Sequence, residues 1–218
     1  MAALSDAEPP LRAAIVPVTP FQQNCAIVWC TRTMRGAVID PGGDIARIRE
    51  GLERTGVMAE RIVLTHGHID HAGGAAELAE ALSVEIVGPH RDDKWLLDGL
   101  PASGAEYGIP ARPCAPDRWL EENDTISIGE IGFEVLHCPG HSPGHIVLVN
   151  RELKFGIFGD VLFRGSIGRT DFPRGDHEAL ISNIKTKLLV LADDFFFLCG
   201  HGPASTIGQE REHNPFLR

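Results

Sequence analysis

The segment that most limits what this chain can become is Thr65-His66-Gly67-His68-Ile69-Asp70-His71. It places three imidazoles and a carboxylate in one turn, between a strand-type run, Arg61–Thr65, and an alanine-rich helical run, Ala72–Leu82. Packing so many titratable groups together without a compensating charge is costly, so the turn points to a cation. His66 and His68, two apart in an extended turn, project the same way and can grip one ion. Asp70 and His71 stand where the helix begins and can reach a second point nearby. Nitrogen and oxygen donors of this kind suit zinc and its neighbours, and catalytic sites leave one position open for water.

Three further segments share one arrangement, a ligand-type side chain at a strand end beside glycine. Pro139-Gly140-His141-Ser142-Pro143-Gly144-His145 follows the Phe133–Leu136 strand, Gly159-Asp160 ends Leu153–Phe158, and Gly200-His201-Gly202-Pro203 ends Phe195–Cys199. Glycine permits the sharp turn that leaves the side chain facing a cleft. His145 reads as a supporting or core residue rather than a ligand, and His137 as structural because it alternates with apolar strand residues. His90, His177 and His213 have no ligand-like surroundings; His177 can cap the helix it precedes.

Around these motifs the pattern predicts strands at Ala13–Val18, Ala26–Cys30, Ala37–Ile39 and Val84–Val87, and a turn at Asp40-Pro41-Gly42-Gly43-Asp44. Asp44 is expected to cap a helix from Ile45 to about Arg54. Residues 101–117, with Pro101, Gly104, Gly108, Pro110, Pro113 and Pro116, read as an irregular loop. Hairpins are expected from Ile126–Ile128 with Phe133–Leu136 and from Ile146–Val149 with Leu153–Phe158, then an amphipathic helix over His177–Leu191. Two batches of strands, each followed by helices, predict two sheets covered on the outside by helices.

The 218 residues suit one domain, 11–218, after a disordered lead-in at 1–10 that lacks the basic and apolar parts of a signal peptide. Twenty Lys and Arg against 30 Asp and Glu give a formal charge of −10. That balance argues against nucleic acid or an anionic membrane as partner and leaves room for a local basic pocket. No stretch approaches the roughly 20 apolar residues of a membrane span. Five cysteines without framework spacing read as reduced thiols of a cytoplasmic protein.

The Thr-His-x-His-x-Asp-His signature, followed by Pro-Gly-His, a strand-end Asp and a late Gly-His, resembles the metal-binding pattern of the metallo-β-lactamase superfamily. The resemblance covers essentially the whole chain. It implies an α/β fold, an αββα sandwich of two mixed β-sheets flanked by helices, with metals at one edge. Residue by residue, it implies that His66, His68 and His141 bind a first ion, that Asp70, His71 and His201 bind a second, and that Asp160 bridges both. The cofactors are then two divalent ions, zinc foremost, with iron or manganese as alternatives. With a water activated by such ions, Asp70 orients the attacking group. No Gly-x-Ser-x-Gly elbow is present, and no cysteine has an obvious base, so covalent catalysis is disfavoured.

Within the superfamily the chain is similar to small relatives of the type II glyoxalases, the hydroxyacylglutathione hydrolases. The runs that carry this are Pro17-Val18-Thr19-Pro20-Phe21-Gln22-Gln23-Asn24-Cys25, Gly168-Arg169-Thr170-Asp171-Phe172-Pro173-Arg174-Gly175-Asp176-His177 and His213-Asn214-Pro215-Phe216-Leu217. The implied substrate is a small thioester, of which a glutathione conjugate such as S-lactoylglutathione is one form. Full-length glyoxalases carry a further C-terminal helical domain and glutathione-binding tyrosines; here the sequence runs only to Arg218 after His201, and the corresponding stretches hold no tyrosine. Weak recognition of glutathione is therefore expected. Arg169 and Arg174 are the candidates for binding a substrate carboxylate; the alternative is that they pair with Asp171 or Asp176 and stiffen the loop. The alternative activity is an iron-dependent glutathione persulfide dioxygenase, which Gly168-Arg169-Thr170-Asp171-Phe172 also resembles. A β-lactamase proper fits less well because of the bridging Asp160, and a non-catalytic metal-binding module needs no such complete ligand set.

Overall fold

The computed structural model describes residues 8–218. Most of the expected lead-in lies outside the described residues. Within them, Pro9 and Pro10 already accept hydrogen bonds from Thr31, through its hydroxyl at 2.8 Å and its N–H at 3.0 Å.

The first sheet contains β1 (Leu11–Val18), β2 (Gln23–Cys30), β3 (Arg35–Ile39), β4 (Met58–Val63) and β5 (Glu85–Val87), side by side in chain order. β1, β2 and β3 are antiparallel, whereas β4 and β5 join in parallel. Parallel neighbours need crossovers. α1 (Ile45–Thr55) supplies the first, α2 (Ile69–Ala72) and α3 (Ala75–Leu82) the second, and α4 (Lys94–Tyr107) follows β5.

The second sheet is built from β6 (Thr125–Ile128), β7 (Ile131–His137), β8 (Ile146–Asn150) and β9 (Phe155–Ile157). A small hairpin follows, β10 (Leu162–Phe163) with β11 (Ser166–Ile167), then α5 (His177–Asn183), which runs on as a π-helical turn over Ile184–Leu188. β12 (Phe196–Leu198), β13 (Ser205–Thr206) and α6 (Ile207–His213) complete the chain. The strand order is β13-β12-β9-β8-β7-β6, antiparallel except for β9 with β12.

Period-two alternation sorts the strands into layers. In β2, Ala26 and Val28 face the second sheet, while Cys25, Ile27 and Trp29 face α1–α4. In β8, Ile146 and Leu148 meet the first sheet, while Val147 and Val149 meet α5 and the π-helical turn. Both faces of both sheets are thus apolar, and the result is the expected αββα sandwich of two mixed sheets.

Four local expectations change. Residues 101–107 extend α4 rather than starting a loop, although Pro101 lies inside it. The carbonyl of Leu97, which Pro101 cannot serve, accepts the N–H of Cys114 at 3.5 Å, and Leu97, Leu100 and Gly104 are buried. Burial of that face outweighs one lost helical bond. Asp44 stands at the start of α1 without capping it; its carboxylate accepts the N–H of Thr19 at 2.8 Å. The helix expected over 72–82 is interrupted at Gly73-Gly74, where a Cβ would collide with the carbonyls of Gly42 and Pro41. Finally, Asp176, not His177, caps α5 by accepting the N–H of Ala179.

This topology puts the C-terminal ends of β3, β4, β7, β9 and β12 along one edge of the sandwich. Backbone hydrogen bonds stitch the two sheets together there: Ile146 N–H to Thr65 O at 2.8 Å, and Asn24 N–H to Gly200 O at 2.7 Å. Asn24 adds two side-chain bonds, to the carbonyls of Cys199 (3.0 Å) and Gly202 (2.8 Å). These bonds explain why the run around Gln23 and Asn24 is informative in the sequence.

Candidate metal centre

The loop after β4 supplies His66 and His68, and α2, into which it runs, supplies Asp70 and His71; the loops after β7, β9 and β12 supply His141, Asp160 and His201. All seven converge. Donor atoms of His66, His68 and His141 lie within 4.8 Å of one another, and so do those of Asp70, His71 and His201. Asp160 stands between the groups: its Oδ1 is 3.3 Å from His71 Nε2, and its Oδ2 is 3.6 Å from both His141 Nε2 and His201 Nε2. Gly200 makes this approach possible, since a Cβ there would overlap Asp160 Oδ1.

His66 Nε2, His71 Nε2 and Asp160 Oδ1 are buried without a hydrogen-bond partner. Buried polar atoms without partners demand an explanation. Here they are aimed at one another in a nitrogen and oxygen donor set, which a divalent cation would satisfy. The residues fit the ions that the motif implies.

The outward faces of the same side chains are held. His71 Nδ1 meets Asp40 Oδ2 at 3.0 Å; the same oxygen accepts the Thr65 hydroxyl at 2.6 Å, and Asp40 Oδ1 accepts the Thr65 N–H at 2.7 Å. His66 Nδ1 lies 3.1 Å from the Thr65 hydroxyl, and His141 Nδ1 lies 2.7 Å from the carbonyl of Arg169. Outer partners of this kind fix ring orientation and tautomer. Buried Asp93 ties two ligand loops together, accepting from Gly67 N–H (2.9 Å), Ser142 Oγ (2.7 Å) and Gly144 N–H (2.6 Å). His145 is fully buried, and its Nε2 accepts the N–H of Asp160. In the sequence Asp40 reads only as part of a turn and Asp93 carries no signal, because the partners that define them are far away in the chain.

Electrostatics divide the cluster. Burial, reinforced by neighbouring imidazoles, holds His66 well below its usual value and His68 down at about 3. Burial also keeps His141 low, despite Asp160 nearby. These three rings are neutral and ready to donate lone pairs. Burial opposes charge on His71 and His201 too, but Asp160 and Asp70 outweigh it and raise both. Burial would lift Asp70 and Asp160; the imidazolium side chains reverse this and hold both carboxyls low. A cation entering this half would displace protons from the rings.

A cleft of about 670 Å³ opens over the cluster, bordered by Asp70, His68 and His201 and by Phe21, Tyr107 and Arg169. Arg169 donates through Nε (2.7 Å) and Nη2 (2.6 Å) to Asp171 and lies 4.1 Å over the Phe172 ring. Arg174 stacks 4.6 Å from the Trp95 ring and is not among the cleft-lining side chains. Of the two, only Arg169 reaches the cleft. Tyr107, the single tyrosine of the chain, enters from the end of α4, the stretch the sequence assigned to a loop. His90 and His137 stand apart from the centre, stacked on each other at 4.0 Å.

Comparison with known proteins agrees with this construction. The metallo-beta-lactamase superfamily profile matches residues 18–201. A hydroxyacylglutathione hydrolase, GloC, from Haemophilus influenzae is 47% identical over 205 residues, spanning 93% of this chain and 96% of that one. The crystal structure of TTHA1623 in a di-iron-bound form is 38% identical with a TM-score of 0.85, covering 94% of this chain and all of its own (100%). That of the BLEG-1 B3 metallo-beta-lactamase is 35% identical with a TM-score of 0.86, over 94% and 99% of the two chains. Fold, donor cluster and sequence likeness together place this chain in the metallo-β-lactamase superfamily.

Proposed function

We propose that the chain is a binuclear metallohydrolase that cleaves short hydroxyacyl thioesters, S-lactoylglutathione among them. The observation that carries this reading is the position of Asp160, one carboxylate within 3.6 Å of ring nitrogens from both donor groups. His66, His68 and His141 would hold one ion, Asp70, His71 and His201 the other, and Asp160 both. Bound ions would supply an acidified water and a polarised carbonyl. Zinc suits the donor set, and iron or manganese is the alternative; the di-iron form of TTHA1623 keeps iron in view.

The chain's own residues set up the rest. Asp70 lines the cleft, 3.2 Å from His201 Nε2, and its carboxylate, kept ionised by His71 and His201, can accept a hydrogen bond from the attacking water and aim it. Thr65, Asp40 and the Arg169 carbonyl keep the rings from turning. A thiolate leaves without strong proton assistance, so the reaction needs no separate general acid. The likeness to the Haemophilus enzyme supports the hydroxyacyl thioester.

The alternative activity, an iron-dependent persulfide dioxygenase, rests on the Gly168–Phe172 run alone and requires one ion rather than a bridged pair. Thiol release and oxygen uptake, followed in parallel with zinc- and iron-loaded protein, separate the readings. Thiol release with zinc and no oxygen uptake is the expected result. Oxygen uptake with glutathione persulfide, strictly dependent on iron, would make the alternative correct, and β-lactam turnover without thioester turnover would reassign the substrate.

A further inference from the structure

The cleft has an aromatic wall that the fold itself does not require. Phe21 and Tyr107 are 44% and 45% exposed, yet they meet edge to face with ring centroids 5.5 Å apart, joining the β1–β2 turn to the end of α4. Trp95 and Phe172 continue the wall. Phe172 rests on the rings of His68 and His141, at 4.8 and 5.8 Å, so the apolar surface begins at the donor cluster. Large rings left in water at the mouth of a cleft offer apolar area to a ligand.

Away from the donor cluster, the charged side chains that line the cleft are Arg169 and Glu106. The guanidinium of Arg169 is spent on Asp171, whose carboxyl it holds down at about 2, so that both stay ionised and paired. Glu106 lines the cleft with no cation paired to it among the described residues. Arg174, on Trp95, is outside the lining. A glutathione half would bring two carboxylates into this space, where unpaired Glu106 repels them and Arg169 is already occupied, and each needs a partner when it leaves water.

We infer that the wall of Phe21, Trp95, Tyr107 and Phe172 selects thioesters whose thiol half is uncharged and apolar, an alkyl or aryl thiol, over the glutathione conjugate. Phe21 and Tyr107 are then specificity-determining residues. The inference rests on the thioesterase reading above, with the short hydroxyacyl group at the donor cluster and the larger half along the rings.

The test uses metal-loaded enzyme and S-lactoyl thioesters of glutathione and benzyl mercaptan, together with uncleavable hydroxypropyl thioethers of the same two thiols, whose binding is measured by calorimetry. The benzyl ester is expected to exceed the glutathione ester roughly ten-fold in kcat/KM, mainly through KM, as burial of one aromatic ring implies. Phe21→Ala and Tyr107→Ala are each expected to shrink that ratio roughly five-fold, while Tyr107→Phe keeps it, because the ring and not the hydroxyl makes the contact. The benzyl thioether is expected to bind more tightly than the glutathione thioether. Preference for the glutathione ester, or a ratio unmoved by both alanine variants, overturns the inference and leaves the thioesterase reading intact. If neither ester is cleaved while the benzyl thioether still binds more tightly and the alanine variants weaken it, the thioesterase reading fails and the apolar wall stands.

Discussion

The backbone N–H of Asp160 donates to Nε2 of His145 across 2.9 Å. That bond occupies one ring nitrogen of His145, which belongs to neither donor group, and it sets the backbone from which the Asp160 carboxylate faces both groups. His145→Ala is therefore expected to keep the metal content of the native protein while losing stability by about 1–3 kcal/mol, the cost of an orphaned buried N–H. His141→Ala is expected to lose metal. Elemental analysis beside denaturant unfolding checks both; equal metal loss from the two variants would reverse the assignment.

Asp160→Ala is expected to lower metal number more than loss of any single histidine, because one carboxylate faces both donor groups. Native protein prepared at saturating metal should contain about two ions per chain, since the donors exceed what one tetrahedral site uses. Full occupancy by a single ion counts against the bridged pair.

Asp40 holds His71 and Thr65 without reaching the cleft itself. Asp40→Asn keeps an acceptor for the Thr65 N–H and suits the left-handed backbone there (φ 50°), but turns an amide toward His71. Metal affinity is expected to fall roughly 10–100-fold, the usual loss for such outer partners, as read by competition with a coloured chelator. Unaltered affinity would show that the ring is held by packing alone.

Arg169 is tied up by Asp171, so Asp171→Asn frees a cation at the cleft. KM for S-lactoylglutathione is expected to fall roughly three-fold or more in Asp171→Asn and to change little in Arg169→Ala, whose guanidinium is already paired, with metal content constant in both. No change in KM for anionic substrates in either variant would limit the pair to stiffening its loop.

Burial lifts the Asp93 carboxyl to about 6, against the lowering effect of Ser142, Gly67 and Gly144. An unfolded aspartate titrates near 4, so the folded chain holds this proton more tightly. The group's stabilisation is complete below about pH 4 and is lost as pH rises through about 6, by about 3 kcal/mol in all. Asp93→Asn removes that titration, so the stability gap between native and variant protein is expected to narrow by about this amount from about pH 4 to about pH 7. Urea unfolding of chelator-treated protein at each pH measures it; a gap independent of pH refutes it.

The ligand loop after β4 was legible because its residues are close in sequence, and His141, Asp160 and His201 because each sits beside glycine at a strand end. Asp40 and Asp93 were not. Asp40 looked like the first residue of a Pro-Gly turn, and its role depends on Thr65, 25 positions away. Asp93 ends a charged run, Arg91-Asp92-Asp93, that carries no signal, and only the fold brings Gly67 and Ser142 onto it. α4 was hidden by Gly99, Pro101 and Gly104, whose local cost the burial of Leu97 and Leu100 overrides. With that helix mislaid, Tyr107 and the aromatic wall could not be placed.

The donor cluster draws four ligand-type residues from the segment after β4 of the first sheet and three from loops of the second, and each sheet has its own helical cover. Ions gripped from both sides would act as a rivet through the seam of the sandwich. Pulling the halves apart would first require breaking coordination bonds, so the loaded protein would resist proteases and heat through slow opening, while a chelator would loosen the seam before either half lost its own core.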